Sequence, residues 1–332
     1  MEKALDFLAL GDTVIDNFIR LIDAEVHCKV DTEECQICMR WGDKIPFESA
    51  TEVPGVGNAA NAAVSAARLG LGSSLHAYVG EDAHGKQIIS ALSAEGVDVS
   101  LIESQPGKRT NYHFVLWFGN ERTILIKHET FDYSVPQLAT PPKWLYLSSL
   151  SQNALPYEEA VAHTLATWPT TRLAFQPGTF QIKFGTRHQH ELYERTEIFF
   201  CNKEEAGRIL EITENDPKEL LKRLRALGPK IPVITDGHNG AYAMDTGGRM
   251  WFVPAYPDVS PPRERTGAGD AFASTIVSAL ALGRPLSEAL LWGPINAMRV
   301  VQEIGAQKGL LTRPQLEAYL AKAPADYVLR EL

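Results

Sequence analysis

The run Arg265-Thr266-Gly267-Ala268-Gly269-Asp270-Ala271-Phe272 holds the densest chemistry in this 332-residue chain. Small residues lead into an apolar stretch, Ala271 to Leu282, that reads as a helix. The first N–H groups of a helix have no partner inside it, and the helix dipole adds positive potential at that end. Gly267 and Gly269 let the backbone approach a ligand closely. The amides of Gly267, Ala268 and Gly269 therefore form a candidate anion hole. Asp270, at its edge, can take a proton from an attacking hydroxyl. Phosphoryl transfer needs both charge stabilisation and an aligned nucleophile. A plain helix start, with Asp270 serving the dipole, is the competing account of the same residues.

Two further groups carry candidate chemistry. Asn202 and Glu205 stand three apart, just after the apolar run Ile198 to Cys201, and share a face if a helix starts there. A helix-capping Asn with an exposed Glu gives the same pattern. Asp12, Asp16, Gly57 and Asn61 fall at strand ends or a helix start. Such positions meet above the carboxyl edge of a parallel sheet, where ligands bind. A carboxylate and a carboxamide together can hold two adjacent hydroxyls, a sugar-like pattern, although Asp12 also fits a turn cap.

The elements that must position these groups alternate. Ala4 to Leu10 reads as a buried first strand, Asn58 to Leu69 as an Ala-rich helix, Leu75 to Val79 as a strand, and Lys86 to Glu95 as a helix stopped by Gly96. Trp144 to Leu147, Leu173 to Phe175, Ile198 to Cys201 and Val233 to Thr235 read as short buried strands with helices between most of them. That rhythm predicts βαβ units and a mostly parallel sheet. Residues 17–53 look different: apolar positions alternate with charges and cysteines, as in an extended, hairpin-like insertion. A second alternating stretch runs from Asn111 to Lys127, with Gly119-Asn120 as a turn signal. The two can pair into one small sheet.

The motifs, in this order, resemble the ribokinase-like (PfkB) carbohydrate kinases. Thr266 to Phe272 matches the end of that family's Asp-Thr-x-Gly-Ala-Gly-Asp signature. Gly55-Val56-Gly57-Asn58-Ala59-Ala60-Asn61 resembles its N-terminal Gly-Gly signature, with Val56 at the first of the paired glycines. Val79-Gly80-Glu81-Asp82, Asn202-Lys203-Glu204-Glu205 and Thr235-Asp236-Gly237 follow with similar spacing. The resemblance implies a three-layer α/β/α sandwich with a small β lid. It implies an α/β domain of residues 1–16, 54–107 and 131–332, and a lid of residues 17–53 and 108–130.

The resemblance also implies roles. Asp270 is the base, and Gly267, Ala268 and Gly269 are the anion hole. Asp12, Asp16, Gly57 and Asn61 lie at the substrate. Asn202, Thr235, Gly237, Thr266 and Asn296 lie at ATP, and Glu205 serves Mg2+ through water, which suits a metal that keeps its waters. The segment before the glycine turn helps bind a monovalent cation in the family. Here Glu264 and Arg265 replace the usual Asp and Thr, so K+ stays open, with the Arg265 guanidinium available in the ion's place or to contact phosphate itself.

Composition narrows the partners. Hydrophobic residues make up 45% and charged residues 22%, enough for a sizeable core, and the formal charge of −9 argues against nucleic acid. No run reads as a membrane span and Met1 to Leu10 lacks a signal core, so the expected location is cytoplasmic. Cys28, Cys35, Cys38 and Cys201 are then expected as reduced thiols. Cys28, Cys35 and Cys38, even with His27, make an incomplete zinc set. Gly80 to Gln87 has Walker A spacing but ends in Gln87 where Ser or Thr should stand, and Gly55 to Ala60 lacks the preceding strand of a dinucleotide fingerprint.

The expected function is ATP-dependent phosphorylation of a hydroxymethyl group on a sugar or sugar-like small molecule. A nucleoside acceptor is the near rival, because Tyr112, Phe114, Trp117 or Phe118 can stack on a base. A sugar phosphate calls for Lys108, Arg109, Arg122 or Lys127 at the lid. A non-catalytic binding or regulatory protein on the same scaffold is the rival of another class. A homodimer through the β lid is a further expectation.

Overall fold

The computed structural model describes residues 5–28, 35–119 and 121–332; the turn residue Asn120 lies outside them. Among the described residues ten strands form one sheet. Its order is Arg330–Glu331, Met250–Val253, Ala241–Met244, Ile231–Thr235, Thr196–Asn202, Arg172–Phe175, Trp144–Leu147, Phe7–Leu10, Ser73–Gly80, Ile102–Gln105. From Ile231–Thr235 to Ile102–Gln105 every neighbouring pair is parallel, and the three strands at the other edge are antiparallel.

Phe7–Leu10 and Trp144–Leu147 are buried along their whole length, as strands covered on both faces must be. Their side chains alternate between two apolar clusters. Phe7, Ala9, Trp144 and Tyr146 pack with helices Asn58–Arg68, Ala268–Ala281 and Leu286–Val300. Leu8, Leu10, Leu145 and Leu147 pack with helices Leu155–Thr167, Lys203–Leu210 and Pro217–Ala226. The fold is therefore a three-layer α/β/α sandwich.

A second sheet of four strands, Phe47–Val56, Val14–Leu21, Tyr112–Phe118 and Glu121–Leu125, joins the two alternating stretches. The strand Val14–Leu21 follows closely on the end of Phe7–Leu10, so this sheet rises beside the carboxyl edge of the large one. Beyond it, Glu25–Cys28 and Cys35–Cys38 form a separate antiparallel pair.

There the expectation of reduced thiols is corrected: Cys28 and Cys35 are joined as a disulfide. They face each other directly across the hairpin with Cα atoms 4.0 Å apart, a register that the sequence alone does not reveal. Cys38 and Cys201 are free thiols, and Cys201 is buried. Among the described residues no helix is long and apolar enough to cross a membrane.

Candidate active site

The helix read as starting at Ala271 starts at Ala268. Gly267 caps it with φ 79°, a left-handed conformation that only glycine adopts without strain. A Cβ on Gly267 would also lie 2.4 Å from the Ala306 Cβ, so the turn packs directly against the Gly305-Ala306 loop. Asp270 consequently occupies the first turn of that helix.

Asp270 is buried, and three carboxamides hold it. Asn58 Nδ2 donates to Oδ1 at 2.9 Å, Gln176 Nε2 to Oδ1 at 3.1 Å, and Asn61 Nδ2 to Oδ2 at 2.8 Å. Burial pushes its carboxyl above the usual carboxylate range. The three donors pull the other way, and the charge of nearby Asp16 adds a smaller upward push. A base raised towards neutrality is better matched to taking a proton from a hydroxyl.

The carboxamides are themselves oriented. Gln307 Nε2 donates to Asn61 Oδ1 at 3.0 Å and to Gly55 O at 2.7 Å, and the Tyr146 hydroxyl donates to Gln176 Oε1. Asn61 and Gln176 are thus held with their N–H sides to the carboxylate. Asn61, expected at the substrate, uses its side chain on Asp270 and Gln307. Asn58, Gln176 and Tyr146 were not anticipated; only the position of Asn58 at the start of a helix beside Gly57 offered a signal.

Asp12 and Asp16 are both buried where the chain passes from the large sheet into the small one. Asp12 is fully engaged: the Tyr133 hydroxyl donates to Oδ1 at 2.7 Å and His128 Nδ1 lies 2.9 Å from Oδ2. Asp16 is different. His113 Nδ1 stands 3.3 Å from its Oδ1 without hydrogen-bond alignment, and Asp16 Oδ1 and His113 Nε2 are buried without a hydrogen-bond partner among the described residues. The two imidazoles lie side by side, centroids 5.2 Å apart, and Phe180 meets His128 edge-on at 5.8 Å. Unpaired buried polar atoms have a cost that a hydroxylated ligand removes. Gly57, with φ 108°, brings its backbone against Asp12; a Cβ there would be 2.8 Å from the Asp12 carbonyl oxygen.

On the other side of the Gly267 turn lies a cleft of about 430 Å³. Thr235, Gly237, Arg265, Ala268 and Gly269 line it, with Pro294, Ala297 and Met298 forming an apolar wall. Asn296 is corrected here. It is fully buried, donates to Thr275 Oγ1 at 2.8 Å and accepts from the Leu311 N–H at 2.9 Å, so it braces helices rather than facing the cleft. Arg265 lines this cleft and is exposed, which fits the second of the two placements open to its guanidinium, contact with phosphate, rather than the cation's place. Thr266 donates its backbone N–H to Glu264 Oε2 at 2.8 Å, while its Oγ1 is buried without a partner among the described residues.

Asn202 and Glu205 form a reciprocal cap: each side chain accepts from the other's backbone N–H at 2.8 Å. Burial raises the Glu205 carboxyl, and the charges of Asp270 and Glu204 add to that. The cap occupies Oε2 and leaves Oε1 for another donor. A largely buried carboxylate that feels the Asp270 charge fits a hydrated Mg2+, which takes few protein ligands and keeps its waters.

The loop Gly80 to Gln87 is no phosphate cradle. Asp82 caps helix Ala83–Ala94 by accepting from the Gly85 N–H at 2.8 Å, and also accepts from the Thr110 N–H and hydroxyl.

A buried carboxylate in the first turn of a helix, beside an apolar cleft and beneath a small sheet, suits a phosphoryl-transferring enzyme. Residues 27–313 match the description "pfkB family carbohydrate kinase", and the chain belongs to that family. It is a sugar kinase of the ribokinase type.

Among curated relatives, "5-dehydro-2-deoxygluconokinase" of Bacillus subtilis is 24% identical over 333 residues, covering 95% of this chain and 96% of the relative. "Ribokinase" of the same organism is 28% identical over 285 residues, covering 84% and 92%. Among solved structures, the nucleoside kinase of Methanocaldococcus jannaschii superposes with a TM-score of 0.79 at 19% identity, covering 96% of this chain and 99% of that one. At that identity the likeness speaks for the fold alone.

Proposed function

We propose that the chain transfers the γ-phosphoryl group of ATP to a hydroxymethyl group of a sugar or sugar-acid acceptor bound between the two sheets. The observation that supports this most is the buried Asp270 carboxylate in the first turn behind the Gly267 to Gly269 amides, held by three carboxamides of which two are themselves oriented. In this reading Asp270 accepts the hydroxyl proton as the oxygen attacks, and the three amides take up charge on the transferring group. ATP lies in the cleft past Thr235 and Gly237, and Asp16 and His113 hold the acceptor's hydroxyls. Mg2+ on Glu205, through water, would neutralise phosphate charge when bound.

Strand alternation bears on the acceptor. Tyr112 and Phe114 line an outer groove together with Lys108, Arg109 and Lys127, away from the face on which His113 meets Asp16. That placement disfavours a base stacked on Tyr112 or Phe114, and it disfavours a phosphate held by those three cations. The name 5-dehydro-2-deoxygluconokinase among the relatives makes a sugar acid the first acceptor to try. The outer face, where Phe114 and its cross-strand partner Leu125 are exposed, is the surface we assign to a second copy; sedimentation of Phe114→Glu against the parent tests it. A cytoplasmic location remains part of this reading.

The test is ADP formation with 5-dehydro-2-deoxygluconate, ribose, fructose, adenosine and fructose 6-phosphate. Turnover with a sugar or sugar acid is expected. Preference for adenosine would replace the acceptor assignment, and ATP binding without turnover on any acceptor would favour the non-catalytic scaffold.

A further inference from the structure

Glu264 is a buried carboxylate at the foot of the Gly267 turn. Its Oε2 accepts from the Thr266 N–H at 2.8 Å and its Oε1 from the Gly305 N–H at 3.1 Å. These bonds tie the segment leading into the turn to the same Gly305-Ala306 loop that Gly267 packs against. Glu264 therefore shapes the anion hole. It also sets a negative charge next to amides that must attract a phosphoryl group, and a buried carboxylate without a counter-charge works against them.

The counter-charge comes from the other sheet. Arg122 sits in strand Glu121–Leu125, opposite Trp117. Its Nε is buried 4.0 Å from Glu264 Oε2 and makes no hydrogen bond among the described residues. Arg265, next to Glu264 in sequence, cannot play this part because it faces the nucleotide cleft. A guanidinium stays charged at any working pH, so the pairing depends on the position of the small sheet and not on protonation.

We propose that Arg122 is a positioning residue that completes the anion hole from the small sheet. Its guanidinium offsets the Glu264 charge when that sheet lies over the site, and leaves the charge unopposed when the sheet lifts away. Phosphoryl transfer is thereby coupled to closure over the acceptor, and transfer to water from an open site is discouraged. The proposal rests on the anion-hole reading of Gly267 to Gly269.

Steady-state kinetics of parent, Asp270→Asn, Arg122→Ala and Arg122→Lys test it, each with and without added guanidinium at matched ionic strength. Arg122→Ala should lower kcat about 10- to 100-fold with the acceptor KM little changed, and Arg122→Lys should lower it less. Guanidinium should restore part of the Arg122→Ala loss and leave the parent unaffected, a response that loss of packing would not give. A parent-like kcat in Arg122→Ala, a loss confined to the acceptor KM, or no rescue in a variant that melts like the parent would each overturn the proposal. If Asp270→Asn retains full turnover, the base and anion-hole reading has failed instead. If Asp270→Asn is inactive and Arg122→Ala is parent-like, only the role of Arg122 has failed.

Discussion

Asn61 Nδ2 lies 2.8 Å from Asp270 Oδ2, while Asn61 Oδ1 is held by Gln307 Nε2 at 3.0 Å. Gln307 thereby fixes which end of the Asn61 amide meets the carboxylate, and that end stabilises the ionised form. Asn61→Ala removes a donor that lowers the Asp270 pKa, so the pKa rises further. Asp270 works as a base only when ionised, and activity increases as pH rises through its pKa. The acid limb of the kcat/KM profile should therefore move to higher pH, and kcat at neutral pH should fall about 10-fold or more. A pH–rate profile of parent and variant checks this; an unmoved acid limb would detach Asn61 from the base.

Glu205→Gln should raise the Mg2+ concentration needed for half-maximal rate more than it changes the acceptor KM. Gln keeps an oxygen for the Asn202 N–H, so the cap survives and only the charge is lost. Mg2+ titrations at saturating acceptor, with melting temperature as a control, measure it. A Mg2+ curve matching the parent's would remove Glu205 from the metal's surroundings.

Away from the site, burial pushes the Glu158 carboxyl up to about 7. Glu158 Oε2 accepts from Gln189 Nε2 at 2.6 Å, while Glu158 Oε1 and Gln189 Oε1 are buried without partners among the described residues. Between the ordinary glutamate pKa and about 7 the folded chain holds a proton that the unfolded chain has released. Stability attributable to this group therefore falls as pH rises through that window, and the loss is complete above it. Glu158→Gln removes the penalty and supplies a donor. At pH 8 the variant should be more stable by on the order of 3 kcal/mol, with the difference shrinking towards pH 4. Denaturant unfolding at both pH values decides it; equal stabilities at pH 8 would contradict the assignment.

The large sheet was legible because its strands are continuous apolar runs, such as Phe7–Leu10 and Trp144–Leu147, that periodicity separates from the helices between them. The Gly267 to Asp270 turn stood out as small residues before a helix, but that pattern alone also fits a plain helix start, and only the order of the other motifs favoured the anion-hole reading. The edge strands Ala241–Met244, Met250–Val253 and Arg330–Glu331 were not: two to four residues carry too little pattern, and pairing decides them. The carboxamides around Asp270 were hidden for another reason. Asn58 and Asp270 are 212 positions apart, and only the packing of helix Asn58–Arg68 on helix Ala268–Ala281 joins them. The Cys28–Cys35 bridge likewise depends on hairpin register. His113 was legible in principle, since strict alternation sets it on the opposite face from Tyr112 and Phe114.

In the proposed reaction Asp270 is the base for transfer from ATP to the acceptor hydroxyl. The most direct measurement is single-site replacement, Asp270→Asn, with turnover, ATP affinity and melting temperature recorded on the same preparation. We predict ATP affinity and folding close to the parent's, with kcat lower by about 10²–10⁴. A folded Asp270→Asn that binds ATP and turns over at a near-parent rate would contradict the account.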